Sequence, residues 1–397
     1  MEHQTNLLTM RILIIEPFLG GSHAEWARGY AASSRHQVEI LGLPGRHWKW
    51  RMQGGAPVLA ERYRQLHSNK LPFDLFLASD MLDLATFLGL LRDLPGPRPA
   101  TALYFHENQL TYPGVPGRKP ASGRGCDLRR WFGFINFTSA LAADRCFFNS
   151  AYHRTAFLAA LPEFLERFPD FPPEAGVTCL EEKSEVLHLG LDLKRFDRYR
   201  TAPDPADPPL LLWNHRWDYD KNPAGFFSLL LELLDYGLDF RVALLGEQSG
   251  WTPDFFPELK KRLGKRLLHC GYCEDFATYA DWLWRADILP VTSRHDFFGI
   301  SVIEALYCGC YPLLPERLVY PEHFPDGTKE PFFYHGRRDL RERLLALLKL
   351  SRRQRRRICS GITVSRYDWS RQATIHDLRL EQLVLAHRAT APKKQES

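Results

Sequence analysis

Two pairs of charged residues in the second half of the chain have types and spacings suited to a phosphorylated ligand. Arg216 and Lys221 lie in Asn214-His215-Arg216-Trp217-Asp218-Tyr219-Asp220-Lys221-Asn222-Pro223, a turn leading from an apolar run into a helix opened by proline. A guanidinium grips phosphate oxygens bidentately and an ammonium adds a point charge, so two such cations at a helix start form a pyrophosphate clamp. Asp218 and Asp220 spell D-x-D, a pattern that can bind a divalent metal, but each has a clamp cation beside it, so no metal is expected. The second pair is Asp296 and Glu304 in Asp296-Phe297-Phe298-Gly299-Ile300-Ser301-Val302-Ile303-Glu304. Gly299 lets a helix begin, and the amides of Phe298, Gly299, Ile300 and Ser301 can meet phosphate oxygens. Glu304 falls inside an apolar helix, where an unpaired carboxylate is costly. A ribose diol would satisfy it, and so would a buried salt bridge. Asp296, on the loop, is placed to hold sugar hydroxyls.

The first half carries weaker signals. Gly20-Gly21-Ser22-His23 follows the first apolar run and opens a helix, which suits an anion or simply a tight turn. It is not G-x-G-x-x-G, which disfavours a nicotinamide oxidoreductase. His106-Glu107-Asn108-Gln109 puts a polar cluster at the end of another apolar run, as a structural histidine or as a contact for a sugar. Arg46-His47-Trp48-Lys49-Trp50-Arg51 interleaves cations with aromatics that can stack on unpaired bases. The stretch 114–130 carries Arg118, Lys119, Arg124, Arg129 and Arg130 against Asp127 alone, a pattern for gripping phosphates or a solvated face. The run Arg352, Arg353, Arg355, Arg356 and Arg357 is open to the same two readings.

The elements that must position these residues alternate in type. Strand-like runs at 11–15, 38–43, 74–78, 100–105, 144–148 and 185–189 are separated by helical stretches at 24–32, 79–91 and 131–143. After the proline-dense segment 201–209 the pattern restarts with strands at 210–213, 240–245, 266–269, 287–291 and 311–314. Helices at 223–234, 254–263, 276–285 and 299–308 lie between them, and helical tails at 338–351 and 369–386 follow. Such alternation predicts an α/β protein of two doubly wound, Rossmann-like domains with the site at the carboxyl ends of their strands. The expected organisation is a first domain over 10–198, a linker at 199–209, a second domain over 210–365 and a C-terminal helix, 366–390, packing back on the first domain.

Composition fits that scheme. The 397 residues are 45% hydrophobic and 25% charged, enough to bury two cores and too apolar for disorder. No apolar run nears the roughly 18 residues of a spanning helix, and no signal peptide is visible, so a cytoplasmic protein without a membrane partner is expected. Lys plus Arg number 52 against 47 for Asp plus Glu, a mild excess that permits an anionic partner. The eight cysteines read as reduced thiols; Cys270 with Cys273 and Cys308 with Cys310 lack zinc-finger spacing.

The motifs together resemble the retaining glycosyltransferases of GT-B fold related to glycosyltransferase family 4. Arg216 and Lys221 match that class's Arg-x4-Lys; Asp296 and Glu304 match its Glu-x7-Glu, with Asp replacing the first Glu. Within it, Ile14-Ile15-Glu16-Pro17-Phe18-Leu19-Gly20-Gly21-Ser22-His23, Tyr104-Phe105-His106-Glu107-Asn108-Gln109 and His47-Trp48-Lys49-Trp50-Arg51 look like the tRNA-queuosine mannosyltransferases. Leu306-Tyr307-Cys308-Gly309-Cys310-Tyr311-Pro312 and Leu318-Val319-Tyr320-Pro321-Glu322 do as well. The resemblance implies GDP-mannose as donor and the cyclopentenediol of queuosine, at the wobble position of tRNA-Asp, as acceptor. It implies retention by same-face attack without metal or other cofactor, His106 lining the donor sugar and Glu304 the ribose. Gly20, Gly21 and Ser22 would join the donor site. Trp48, Lys49, Trp50, Arg51, Glu107, Asn108, Gln109 and the basic stretch would face the tRNA, and no protein partner is called for. A GT-B transferase using another nucleotide sugar with a lipid or small-molecule acceptor, and a noncatalytic RNA-binding protein, are the competing readings.

Overall fold

The computed structural model describes residues 9–67, 72–112, 128–168, 170, 171, 173, 175–201, 207–248, 252–325, 327, 328 and 330–390. The chain divides into two compact units, residues 1–192 with 367–397, and residues 193–366. The boundary thus falls at Asp192, so the 3-10 turn Lys194–Tyr199, most of which the sequence reading put in the first domain, belongs to the second unit. Of the expected linker 199–209, residues 202–206 lie outside the described residues.

The first unit runs β1 (Arg11–Leu19), α1 (Gly21–Ser33), β2 (Gln37–Pro44), α2 (Trp48–His67), β3 (Leu75–Ser79), α3 (Leu84–Leu90), β4 (Ala100–Phe105), α4 (Leu128–Ala142), β5 (Arg145–Phe148), α5 (Ala151–Glu166), α6 (Ala175–Lys183) and β6 (Ser184–Val186). Its strands form one parallel sheet in the order β2-β1-β3-β4-β5-β6. Parallel strands are covered on both faces, so β3 and β4 are buried at every residue. Strand order reverses at β1, which places the loops after β1 and β3 at the topological switch point.

The second unit repeats the plan. It comprises β7 (Leu210–Trp213), α7 (Pro223–Asp235), β8 (Arg241–Leu244), α8 (Phe256–Leu263), β9 (Leu267–Cys270), α9 (Phe276–Arg285), β10 (Ile288–Pro290), α10 (Ile300–Tyr307), β11 (Tyr311–Pro315), β12 (Phe333–Tyr334), α11 (Arg337–Lys349) and α12 (Arg352–Cys359). The parallel sheet has the order β12-β11-β10-β7-β8-β9, with its switch point between β7 and β10. Helix α13 (Trp369–Thr390) then returns to the first unit. There Asp377 accepts hydrogen bonds from Tyr30 and Ser34 of the α1 region at 2.9 and 2.6 Å. Trp369 fills the space left by two glycines; a Cβ on Gly29 or Gly190 would stand 2.1 or 2.2 Å from the indole. Among the described residues, no helix is long and apolar enough to cross a membrane.

Candidate active site

In the second unit, the loops after β7 and β10 flank the switch point and bring both charged pairs together. Asn222 takes a left-handed backbone with φ 55°, accepts a hydrogen bond from Gly225 N as the N-cap of α7, and precedes the proline that starts the helix. This turn aims Lys221 inward. Its Nζ lies 3.2 Å from Asp220 and 3.3 Å from Asp296, and donates to the carbonyl of His295 at 2.8 Å. Burial pulls the ammonium pKa down, but the charges of Asp296 and Asp220 outweigh it, and the net shift is upward. Arg216 is the exposed member of the clamp and pairs with Asp218 at 3.1 Å. Both acids of the D-x-D are therefore engaged by the clamp cations, as expected.

Asp296 is held by two partners. Tyr320, itself fully buried, donates to Asp296 Oδ2 at 2.9 Å, and Lys221 Nζ lies 3.3 Å from the same oxygen. Burial pushes the Asp296 carboxyl up, yet Lys221 reverses this and holds it below the ordinary carboxylate range. The Tyr320 ring also lies against Gly299, where a Cβ would approach it to 3.2 Å, and His323 shares a 2.7 Å hydrogen bond with the carbonyl of Phe298. Gly299 has φ 75°, which lets the chain turn sharply into α10 and leaves the amides of Ile300 and Ser301 at the helix start. Ser301 Oγ shares a hydrogen bond with His215 Nδ1 at 2.8 Å, and burial together with Lys221 pulls that imidazole down to about 4. Glu304 accepts from Tyr279 at 2.7 Å, and Arg195 stands 3.8 Å away, so elements of the salt-bridge reading are present.

The first unit gathers a second cluster at the carboxyl ends of β1, β3 and β4. His106, eight percent exposed, packs between Trp26, Tyr104 and His23, with ring centroids 4.7, 4.9 and 4.3 Å away. Burial and the charge of His23 keep it neutral, and its Nε2 is buried without a hydrogen-bond partner. Glu16, in the carboxyl-terminal half of β1, lies 3.0 Å from His23 Nδ1. Burial disfavours the imidazolium, but Glu16, with Asp80 and Glu107 beyond it, raises its pKa to about 9. Asp80 Oδ1 accepts from the His106 amide at 2.8 Å, while Oδ2 is buried and unpaired, and burial drives this carboxyl well above its usual range. Glu16, His23 and His106 form the only described group of three metal-type ligands, with atoms within 4.8 Å of one another. Unused His106 Nε2 and Asp80 Oδ2 equip this cluster for a hydroxyl-rich ligand.

The remaining candidates divide. Gly20 is a packing residue: its Cβ would meet the Gly45 backbone at 3.0 Å, whereas Gly21 needs its φ of 51° and Ser22 is exposed. Asn108 and Gln109 are buried and fix their loop, Asn108 Oδ1 accepting from Thr111 N within it and Gln109 N donating to Asn136 of α4. Glu107 is half-buried and accepts from Gln109 Nε2 at 3.0 Å. Trp48, Lys49 and Trp50 are exposed on the first turn of α2, with Arg51 partly covered. Arg130 is exposed at the start of α4, where Arg129 also lies; Arg118, Lys119 and Arg124 fall outside the described residues. In the Arg352 run, Arg352 and Arg355 bind the buried Asp287 at 2.5 and 2.7 Å and Arg356 donates to the Trp284 carbonyl, so three of its five arginines are structural. The roles of Tyr320, Tyr279, Glu16, His23 and Asp80 were not read from the sequence. An acid closing an apolar run, as Glu16 and Asp80 do, was the available signal.

Comparison with known proteins decides the family. Residues 11–191 match the model for the N-terminal region of tRNA-queuosine alpha-mannosyltransferases. Over 322 residues the chain is 36% identical to the tRNA-queuosine alpha-mannosyltransferase of Drosophila melanogaster, covering 79% of this chain and 81% of that one. The chain belongs to this family. It is a glycosyltransferase. A shorter stretch of 130 residues, 31% of this chain and 33% of the other, is 28% identical to a GDP-mannose-dependent phosphatidylinositol dimannoside mannosyltransferase of Mycobacterium tuberculosis. Among solved structures, sucrose-phosphate synthase of Thermosynechococcus elongatus superimposes with TM-score 0.64 at 14% identity, covering 95% of this chain and all of that one. The UDP-forming trehalose-phosphate synthase of Burkholderia xenovorans gives 0.62 at 12%, covering 94% and 99%. The family's fold is thus GT-B, with two parallel six-stranded sheets.

Proposed function

We propose that the protein transfers mannose from GDP-mannose to the cyclopentenediol of queuosine at the wobble position of tRNA-Asp, retaining the α configuration. The observation that carries this reading is the identity with the Drosophila enzyme over four-fifths of both chains. The partial match to a GDP-mannose-dependent enzyme supports the donor. Arg216 and Lys221 take the pyrophosphate, joined by the amides of Gly299, Ile300 and Ser301, with Phe298 shaping the loop. As the glycosidic bond breaks, negative charge grows on the β-phosphate. Fixed cations and amides stabilise it without reorganisation, which calls for no metal. Asp296, oriented by Tyr320 and Lys221, accepts from hydroxyls of the hexose. Glu304 accepts from the ribose, and the unpaired His106 Nε2 lines the hexose near its reacting carbon. The acceptor hydroxyl attacks from the face the phosphate leaves, and its proton passes to that phosphate or to Glu107. Trp48, Lys49, Trp50 and Arg51, together with Arg118, Lys119, Arg124, Arg129 and Arg130, hold the RNA.

The test is release of GDP from GDP-mannose in the presence of tRNA-Asp. Release that requires queuosine at the wobble position is expected. Equal release with guanosine there, or release driven by a lipid acceptor instead, would overturn the acceptor.

A further inference from the structure

Indole side chains are rarely left in water, because each removes a large apolar area when buried. Of the nine described tryptophans, six are buried: Trp26, Trp213, Trp217, Trp282, Trp284 and Trp369. The three exposed ones are Trp48, Trp50 and Trp131, at 37, 61 and 47%. All three stand on the first turns of α2 and α4, which meet where the Trp48 ring packs on Phe132 at 5.5 Å.

Three features argue for what covers them. The patch is cationic: Lys49 lies over the Trp48 ring at 5.6 Å, Arg130 precedes Trp131, and neither 46–60 nor 128–136 contains an acid. It is firmly based, because Met52 of α2 and Phe132 and Ile135 of α4 form a small core with Met81, against which Phe18 packs. It also connects with the polar cluster described above, since Phe18 lies 6.1 Å from His23, whose ring is 4.3 Å from His106. Flat rings alternating with cations match the repeat of a single-stranded nucleic acid, bases on the rings and phosphates on the cations. A lipid surface would call instead for a continuous apolar face.

We infer that Trp131, with Trp48 and Trp50, forms a stacking platform for unpaired bases of the acceptor RNA, so that the enzyme takes its substrate as an open loop and not as a duplex. The inference rests on the acceptor reading proposed above and adds Trp131 as a specificity-determining residue. Bases flanking the modified nucleotide lie on the indoles, and the modified nucleotide itself points toward the ends of β1 and β4.

The experiment uses the full-length chain, fluorescence anisotropy with a labelled anticodon-loop hairpin RNA, and a fully paired RNA of the same length. Trp131→Ala should weaken hairpin binding about tenfold, as loss of one stacked base does. Trp131→Phe should keep most of the affinity, and neither change should alter the KM for GDP-mannose or the melting temperature. The paired RNA should bind more weakly than the hairpin and be insensitive to Trp131. Unchanged hairpin affinity in Trp131→Ala, equal affinity for paired RNA, or Trp131-dependent capture on phosphatidylserine vesicles instead of RNA would each overturn the platform. Wild-type protein that binds the hairpin through Trp131 yet transfers no mannose would leave the platform standing and remove the proposed reaction. Mannose transfer that ignores Trp131 would do the reverse.

Discussion

Asp296 has no backbone reason to stay where it is; Tyr320 and Lys221 hold it. Tyr320→Phe removes one hydrogen bond to a carboxylate, of about 1.5–3 kcal/mol, and should lower kcat/KM by roughly 10- to 100-fold while Lys221 keeps the acid ionised. Unchanged kinetics would show that Tyr320 only packs. The clamp cations should separate in their effects. Arg216→Ala is expected to cost about 10²–10³ in kcat at unchanged melting temperature, since the side chain is exposed. Lys221→Ala should cost activity and also about 3–5 kcal/mol of stability, because it strands Asp220 and Asp296. Melting curves of the two variants test this directly. That Arg216 and Lys221 share the loop before α7 was legible, because the proline that follows them marks the helix start. Tyr320 was not, because its partner is 24 positions away and nothing local marks the contact.

At the scale of elements, the strands could be read from apolar runs because buried parallel strands leave no polar alternation to confuse them. Helix α2 could not. Gly54, Gly55 and Pro57 break its local propensity, and only packing of Met52, Ala56 and Leu59 makes it helical. Helix α12 was misread for the opposite reason, since a run of arginines looks solvated until Asp287 is found beneath it. Asp287→Asn should therefore destabilise the protein by about 3–5 kcal/mol, whereas Arg353→Ala, on the exposed face, should stay within about 0.5 kcal/mol. Chemical denaturation of both variants measures the contrast. The cluster joining α1 to the ends of β1 and β3 gives a pH signature. His23 binds its proton more tightly in the folded than in the unfolded protein, and Asp80 shifts in the same sense. The stability from His23 is thus complete below its unfolded value near 6.5 and drains as pH rises through about 9. Melting temperature should fall across that window, less steeply in His23→Gln; a flat or rising profile would contradict the pairing with Glu16.

For the whole molecule, the alternation of strand and helix was enough to anticipate two doubly wound units, and the motif resemblance was enough to anticipate a glycosyltransferase. The return of the C-terminal helix to the first unit was anticipated as well, but not its seating through Trp369, because the two glycines that admit this indole lie 161 positions apart and far from it. What the assembled enzyme does is tested most directly by nucleoside mass spectrometry of queuosine-bearing tRNA-Asp incubated with the protein and GDP-mannose. The expected result is queuosine heavier by one hexose, absent with Arg216→Ala and absent when UDP-glucose replaces the donor. Queuosine left unmodified by wild-type protein that still binds GDP-mannose would contradict the central claim.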